Sequence, residues 1–241
     1  MAEIRDLQPA RPSVAAADER VTSFLRAVYG WMFVGLLVTA GVAVFIASQE
    51  ELVRAIVTTR FLFLALVLGQ LGLVFWISAR AATLRPSTAA TLFIVYAATN
   101  GITFSVVLLA FTGASIASAF LTTAGMFGAL AVYGTLTKRS LVGLGQFAFM
   151  GLIGIVIASL VGLFWQNDTL QFMISACGVI VFTGLTAYDT QRIKATYVQY
   201  AYAEGTEGAA KRSVYDALSL YLNFINLFML LLQLLGNRNN S

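Results

Sequence analysis

Seven long apolar stretches, separated by short connections that carry almost all of the charge, constrain the fold of this chain more than any other feature. A helix that crosses the hydrocarbon core of a bilayer needs about 20 mostly apolar residues. Stretches of this kind lie near residues 27–48, 61–79, 89–111, 114–136, 141–165, 170–188 and 214–235. Because backbone polar groups in lipid must be bonded within the protein, the sequence predicts an all-α, polytopic bundle of seven transmembrane helices.

The remaining sequence leaves no room for a separate soluble domain. Residues 1–25 are polar, mixed in charge and contain Pro9 and Pro12, which predicts a cytoplasmic N-terminal tail rather than a signal peptide. Residues 26–236 are predicted to form a single membrane domain, with the seven spans joined by short turns.

Composition excludes several classes of function. Hydrophobic residues make up 59% of the chain and charged residues 11%, whereas soluble domains average about 25% charged residues. The chain has no His, which removes His-based zinc sites and Ser–His or Cys–His catalysis, and Cys177 is the single cysteine. The basic residues fall at helix ends rather than in one patch, so nucleic acid is not an expected partner. We therefore expect no enzymatic activity and no resident cofactor.

The distribution of Lys and Arg predicts the orientation in the membrane. Twelve of the 15 basic residues lie in the tail and in alternate connections that would share one side, and Arg54, Arg60 and Arg238 would lie on the other. Positively charged connections remain on the cytoplasmic side. With an odd number of spans, the N-terminus is predicted to be cytoplasmic and the C-terminus outside.

Polar residues in the last span form a stripe along one face. At 100° per residue, Asp216, Ser219, Asn223, Asn226 and Gln233 fall within an arc of about 100° and extend over about 26 Å. Such a stripe is costly against lipid, so this helix is predicted to be central. Two interpretations remain open. The stripe either bonds the helix to its neighbours or lines a polar path, with Asn100, Thr99, Thr103 and Gln146 as candidate partners.

Glycines provide the expected sites of close helix packing. In lipid, small residues permit two helix backbones to approach each other. Gly125 and Gly128 in the fourth span, with Gly151 and Gly154 in the fifth, are predicted to lie at helix contacts.

Two late motifs resemble those of a known family. The sequence FTGLTAYDTQ at 182–191 resembles the sixth-helix motif of the Bax inhibitor-1 family, and ALSLYLNFINLF at 217–228 resembles its seventh-helix motif. The sequences RAVY at 26–29 and KRS at 138–140 fit the bacterial branch. The resemblance covers residues 20–238 and implies a seven-helix protein of the bacterial cytoplasmic (inner) membrane with its last helix central.

The resemblance also implies a function. Bacterial relatives are described as pH-sensitive calcium leak channels. Their proposed sensor is a pair of aspartates on helices six and seven, and an arginine of helix two is proposed to bind the helix-six aspartate and keep the ion path closed. In this chain Asp189 matches the helix-six aspartate and Arg80 matches the arginine, so these two residues are the expected gate and pH sensor. Calcium prefers carboxylate and carbonyl oxygens, so Asp189 and Asp216 are candidate ligands for a weak, transient ion.

The second aspartate of the family motif is replaced here by Asn223. Asp216 lies two turns earlier on the same face, about 10 Å away, and is either a vestibule carboxylate or a solvated residue at the helix start. The alternative function is therefore a non-transporting regulatory protein. Some relatives are thought to modulate quality control by a membrane-bound protease, which makes such a protease a candidate partner besides the lipid bilayer. An intramembrane aspartyl protease is disfavoured because its Gly-x-Gly-Asp motif is missing.

Overall fold

A computed structural model describes residues 14–81, 83–162, 165, 167–200 and 205–239. This part of the chain is all-helical, apart from turns and one isolated bridge between Phe111 and Arg238. The helices are α1 (Val14–Ala47), α2 (Glu50–Thr58), α3 (Arg60–Ala79), α4 (Pro86–Ala110), α5 (Gly113–Leu136), α6 (Val142–Gly162), α7 (Asp168–Tyr200) and α8 (Gly205–Leu235). The all-α prediction is confirmed.

Six helices of the described chain are long and apolar enough to cross a membrane. They are α1, α4, α5, α6, α7 and α8, and they match six of the seven predicted spans. In α3, the candidate apolar stretch is the shorter segment Leu64–Ala79. The second predicted span is therefore a helix whose apolar stretch falls short of the length that a perpendicular crossing requires.

The ends of the helices differ from the predicted spans. Helix α1 begins at Val14, inside the segment expected to be a tail, and Phe24 of this segment is buried and stacks on Tyr197 with ring centroids 4.2 Å apart. Helix α7 continues to Tyr200, beyond the predicted end at 188. The short amphipathic helix α2 was not predicted, because its apolar positions recur with helical spacing over only nine residues.

Helix α8 packs against α1, α4, α5 and α7 and buries a larger share of its apolar window than the other five candidate spans. Tyr221 illustrates why, since its side chain is fully buried and its hydroxyl lies 2.7 Å from Thr39 Oγ1 of α1. Thr39 Oγ1 also donates to the carbonyl of Ala97 in α4 at 2.9 Å. A polar contact among apolar helices thus holds α1, α4 and α8 together.

Helices α3 and α6 lie at the periphery. Helix α3 packs chiefly on α4, where Gln70 Nε2 donates to the carbonyl of Thr99 and to Thr103 Oγ1, each at 2.7 Å. Helix α6 packs chiefly on α7. The residues Thr99 and Thr103, which the sequence offered as partners for the last helix, therefore bond to α3 instead.

The glycines at close helix contacts are mostly different from those predicted. Around Gly125, Gly128 and Gly154, the space that a Cβ atom would occupy is open, whereas Gly151 does face Val181. The tight contacts lie at other glycines: Gly35 against Phe93, Gly101 against Thr39 and Val42, Gly134 against Ala187, Gly145 against Tyr188, and Gly178 against Leu230. Helix orientation decides which glycines meet a neighbour, and spacing along one helix does not report it.

Candidate functional site

Asp189 lies in α7 and is only 8% exposed. Its Oδ2 atom accepts hydrogen bonds from Ser219 Oγ at 2.9 Å and from Asn223 Nδ2 at 2.8 Å, both in α8. A buried carboxylate is costly unless it is paired and hydrogen-bonded, and α8 supplies two donors to a single oxygen. The spacing of four residues between Ser219 and Asn223 places both on the same side of α8, which is why they reach the same atom.

The other oxygen of Asp189 is bound by a cation. Arg192 Nη2 lies 2.9 Å from Asp189 Oδ1, with the two residues three positions apart on α7. The same nitrogen lies 3.4 Å from Ser219 Oγ. The Arg192 side chain is 43% exposed, so the ion pair joins a buried carboxylate to a guanidinium that reaches solvent or the membrane interface.

Close backbone contacts fix α7 at this level. Gly134 of α5 lies against the carbonyl of Ala187 and the Cβ atom of Thr190, and Gly145 of α6 lies against the ring of Tyr188. Gln191 joins the connection between α5 and α6, since its Oε1 accepts from Leu141 N at 2.8 Å and its Nε2 donates to the Arg139 carbonyl at 2.9 Å. The residues that flank Asp189 are therefore clamped between two helices and a connection.

Asp216 lies one turn before Ser219 on α8 and is close enough to Asp189, Arg192 and Arg212 to interact with their charges. Its Oδ2 atom lies 4.0 Å from Arg212 Nε, which is a loose ion pair. The same oxygen is buried and accepts no hydrogen bond within the described chain. Asp216 thus extends the charged cluster by one turn toward the start of α8.

A cavity of about 530 Å³ lies beside this cluster, between α6, α7 and α8. Its polar side is formed by Asp189, Arg192, Ser219, Asn223 and Asn226, with Gln146 across from them. Its apolar side is formed by Phe149 and Leu152 of α6, Phe182 and Leu185 of α7, and Leu222 of α8. Of the four polar partners that the sequence proposed for the last helix, Gln146 is the one that faces this cavity.

The remaining stripe residues of α8 also face α7 or the cavity. Asn226 lines the cavity and donates to the Leu222 carbonyl of its own helix at 2.8 Å. Gln233 Oε1 accepts from Gln171 Nε2 and from Ser175 Oγ of α7, each at 2.9 Å. The stripe therefore bonds α8 to α7 at two levels and exposes polar groups to a cavity at one of them, while a polar path along the stripe stays a prediction.

Arg80, the expected counter-ion, lies elsewhere in this structure. It follows α3 directly, is exposed, and its guanidinium carbon lies 6.0 Å from the centre of the Trp76 ring. Helix α3 packs chiefly on α4, and Asp189 is paired with Arg192 instead. The spacing of three residues between Asp189 and Arg192 is a common helical ion-pair spacing and is the sequence signal for this pair.

The described residues contain no group of three or more Cys, Asp or Glu side chains placed to hold a metal ion. Asp189 and Asp216 together provide carboxylate oxygens, but both lie close to arginines. Calcium usually takes six to eight oxygen ligands, so these two residues by themselves offer at most a weak site. A calcium ion bound there stays a prediction.

Comparison with known proteins shows what this chain is similar to. A model of the family described as "Inhibitor of apoptosis-promoting Bax1" matches residues 21–240. The inner membrane protein YbhL of Escherichia coli (strain K12) is 43% identical over 97% of this chain and 99% of its own length. An uncharacterized protein of Borreliella burgdorferi is 41% identical over 90% of this chain and 93% of its own. An uncharacterized membrane protein of Streptococcus pyogenes, SpyM3_0260, is 34% identical over 92% and 96%.

Proposed function

Because the chain belongs to the Bax inhibitor-1 family, as its two late motifs predicted, we propose that it forms a cation leak path in the bacterial inner membrane that is controlled at Asp189. The proposed cargo is calcium, and the proposed control is pH. The proposed role is non-enzymatic, in keeping with a family whose relatives include proteins named as membrane proteins. The proposal includes seven crossings, with α3 as the extra one, the N-terminus in the cytoplasm and α8 at the centre of the bundle.

The observation that carries this proposal is the buried carboxylate of Asp189 beside a cavity lined on one side by polar groups. Ionisable residues inside a membrane domain are costly, and they commonly mark ion pathways or proton relays. Asp189 has the donors that a resting, ionised carboxylate requires. It also lines the cavity, which we propose to be part of the ion path.

In the proposed resting state, the guanidinium of Arg192 forms an ion pair with the carboxylate of Asp189. A permeating cation must compete with the guanidinium for the same carboxylate, so the ion pair opposes conduction. Protonation of Asp189 from the cytoplasm removes the negative charge that holds Arg192. The Arg192 side chain is then free to turn toward the exposed surface. The pair between Asp189 and Arg80 stays a prediction, for a conformation in which α3 lies against α7.

A second candidate function is regulation of other membrane proteins without transport. The hydrogen bond from Asn223 to Asp189 favours it, because an amide completes the bonding of the carboxylate where a second carboxylate would have to share a proton. On this alternative the cluster fixes α7 to α8 and has no gating role. Copurification of a membrane-bound protease with the intact protein, retained in the variant Asp189→Asn, is the result expected from this alternative.

The test of the leak is calcium flux into liposomes that carry the purified protein and an internal dye, scanned from about pH 5 to 8. We expect Asp189→Asn to abolish the pH response and Arg192→Gln to raise flux at neutral pH. Asp168→Asn is the matched control, because it makes the same substitution in an exposed residue at the opposite end of α7. Equal flux in wild type, Asp189→Asn and Asp168→Asn at every pH would reject the gating role of Asp189.

A further inference from the structure

The cavity beside Asp189 is amphipathic, with polar residues on one side and apolar residues on the other. On α6 its lining runs from Gly145 to Leu152, about 10 Å at 1.5 Å per residue. Gln146 and Phe149 are exposed, so the cavity is open along α6 rather than closed on all sides. Its apolar wall of Phe149, Leu152 and Phe182 is the kind of surface that an acyl chain covers.

Basic residues lie in the connection that leads into α6, whose first turn lines one end of this cavity. Lys138 and Arg139 are exposed in the connection that leads into α6, and Arg192 is 43% exposed on α7. Gln191 binds that connection at the Arg139 carbonyl and at Leu141 N, which holds it next to Arg192. Of these three residues Arg192 lines the cavity, and Lys138 and Arg139 lie in the connection bonded beside it; together we call them the basic rim.

We propose that this cavity binds one anionic phospholipid, with the headgroup phosphate at the basic rim and one acyl chain along the apolar wall between α6 and α8. Basic pockets between membrane helices on the cytoplasmic side suit anionic headgroups. Since Asp189 already neutralises much of the charge of Arg192, Lys138 and Arg139 provide the net positive charge that selects an anionic headgroup. The lipid experiment measures binding and the liposome experiment measures flux, so failure of one proposal is distinguishable from failure of the other.

The first experiment measures lipid retention by native mass spectrometry of the full-length protein, delipidated in detergent and then given phosphatidylglycerol or phosphatidylcholine. We expect one retained phosphatidylglycerol and much weaker retention of phosphatidylcholine. The double variant Lys138→Gln/Arg139→Gln should weaken phosphatidylglycerol binding on the order of tenfold. The matched control Arg20→Gln/Arg85→Gln removes two exposed cations from other parts of the chain and should bind as wild type does. Equal losses in the two double variants would overturn the assignment to this rim.

A second measurement locates the acyl chain. In a background in which Trp31, Trp76 and Trp165 are replaced by Phe, Leu222→Trp places a single fluorophore in the cavity, and phosphatidylglycerol with a brominated chain should quench it. Equal quenching by brominated phosphatidylcholine would overturn the headgroup selectivity. Displacement of the lipid by excess inorganic phosphate would identify an ordinary anion site and reject the lipid. Retention in excess phosphate is the expected result.

Discussion

The amide of Asn223 in α8 donates a hydrogen bond to Asp189 Oδ2 in α7, with a separation of 2.8 Å. The two residues are 34 positions apart in the chain, and each lies in one of the two motifs that identify the family. The motifs therefore meet in the fold as a single polar cluster. This contact supplies one of the two donors that satisfy the buried Oδ2 atom of Asp189.

Loss of the Asn223 amide is expected to destabilise the bundle. In the variant Asn223→Ala, Asp189 Oδ2 keeps Ser219 as its donor but loses one hydrogen bond in a buried site, at a cost of about 1–3 kcal/mol. Thermal unfolding in detergent measures the change. Asn226→Ala is the control on the same helix, because the Asn226 amide donates to its own helix at Leu222 and a smaller loss is expected. Equal losses would contradict the importance of the contact between helices.

The ion pair between Arg192 and Asp189 is expected to show a measurable but modest coupling. Because Arg192 is 43% exposed, solvent weakens the pair, and we expect about 1 kcal/mol of coupling rather than the several expected for a fully buried pair. A double-mutant cycle of Asp189→Asn and Arg192→Gln, read by unfolding in low salt, gives this quantity. The same cycle with Arg139→Gln in place of Arg192→Gln should give coupling near zero.

Gly134 is expected to be intolerant of a side chain. In the variant Gly134→Ala, the new Cβ atom meets the backbone carbonyl of Ala187, which cannot move without shifting α7, so we expect a loss of about 1–3 kcal/mol. Gly128→Ala is the matched control on α5, since its Cβ atom enters open space and removes a helix-weakening glycine. Unfolding temperature should fall for the first variant and stay level or rise for the second. The opposite order would contradict the packing of α5 on α7.

The hydroxyl of Tyr221 is expected to contribute to stability through Thr39. The variant Tyr221→Phe keeps the buried ring, which packs edge-on against Phe93 and Tyr96, and removes only the 2.7 Å contact to Thr39 Oγ1. Because Thr39 keeps its bonds to the carbonyls of Gly35 and Ala97, the loss should be about 0.5–1.5 kcal/mol. Tyr133→Phe, at an exposed position of α5, should unfold at the wild-type temperature.

The residues around Asp189 show which parts of the candidate site could be predicted from the sequence. The motif around Asp189 was identified, and the structure brings Asp189 together with Ser219 and Asn223 of the polar stripe in the last span. Its cation was predicted to be Arg80, yet Arg192 holds that place in this structure. The family pattern supplied Arg80, whereas the packing of α3 on α4 determines that a residue of α7 itself is nearer.

What the sequence by itself determined is the all-helical class, six of the spans and the family. Each of these depends on apolar length or on residues adjacent in the chain, which a single sequence displays directly. The tertiary structure decided which glycines are at helix contacts, which cation pairs with Asp189, and that an amphipathic cavity lies between α6 and α8. These features depend on the rotation and position of each helix relative to its neighbours. Helices in lipid select their neighbours through close packing and a few polar bonds, so the arrangement follows from many weak contacts between distant parts of the chain.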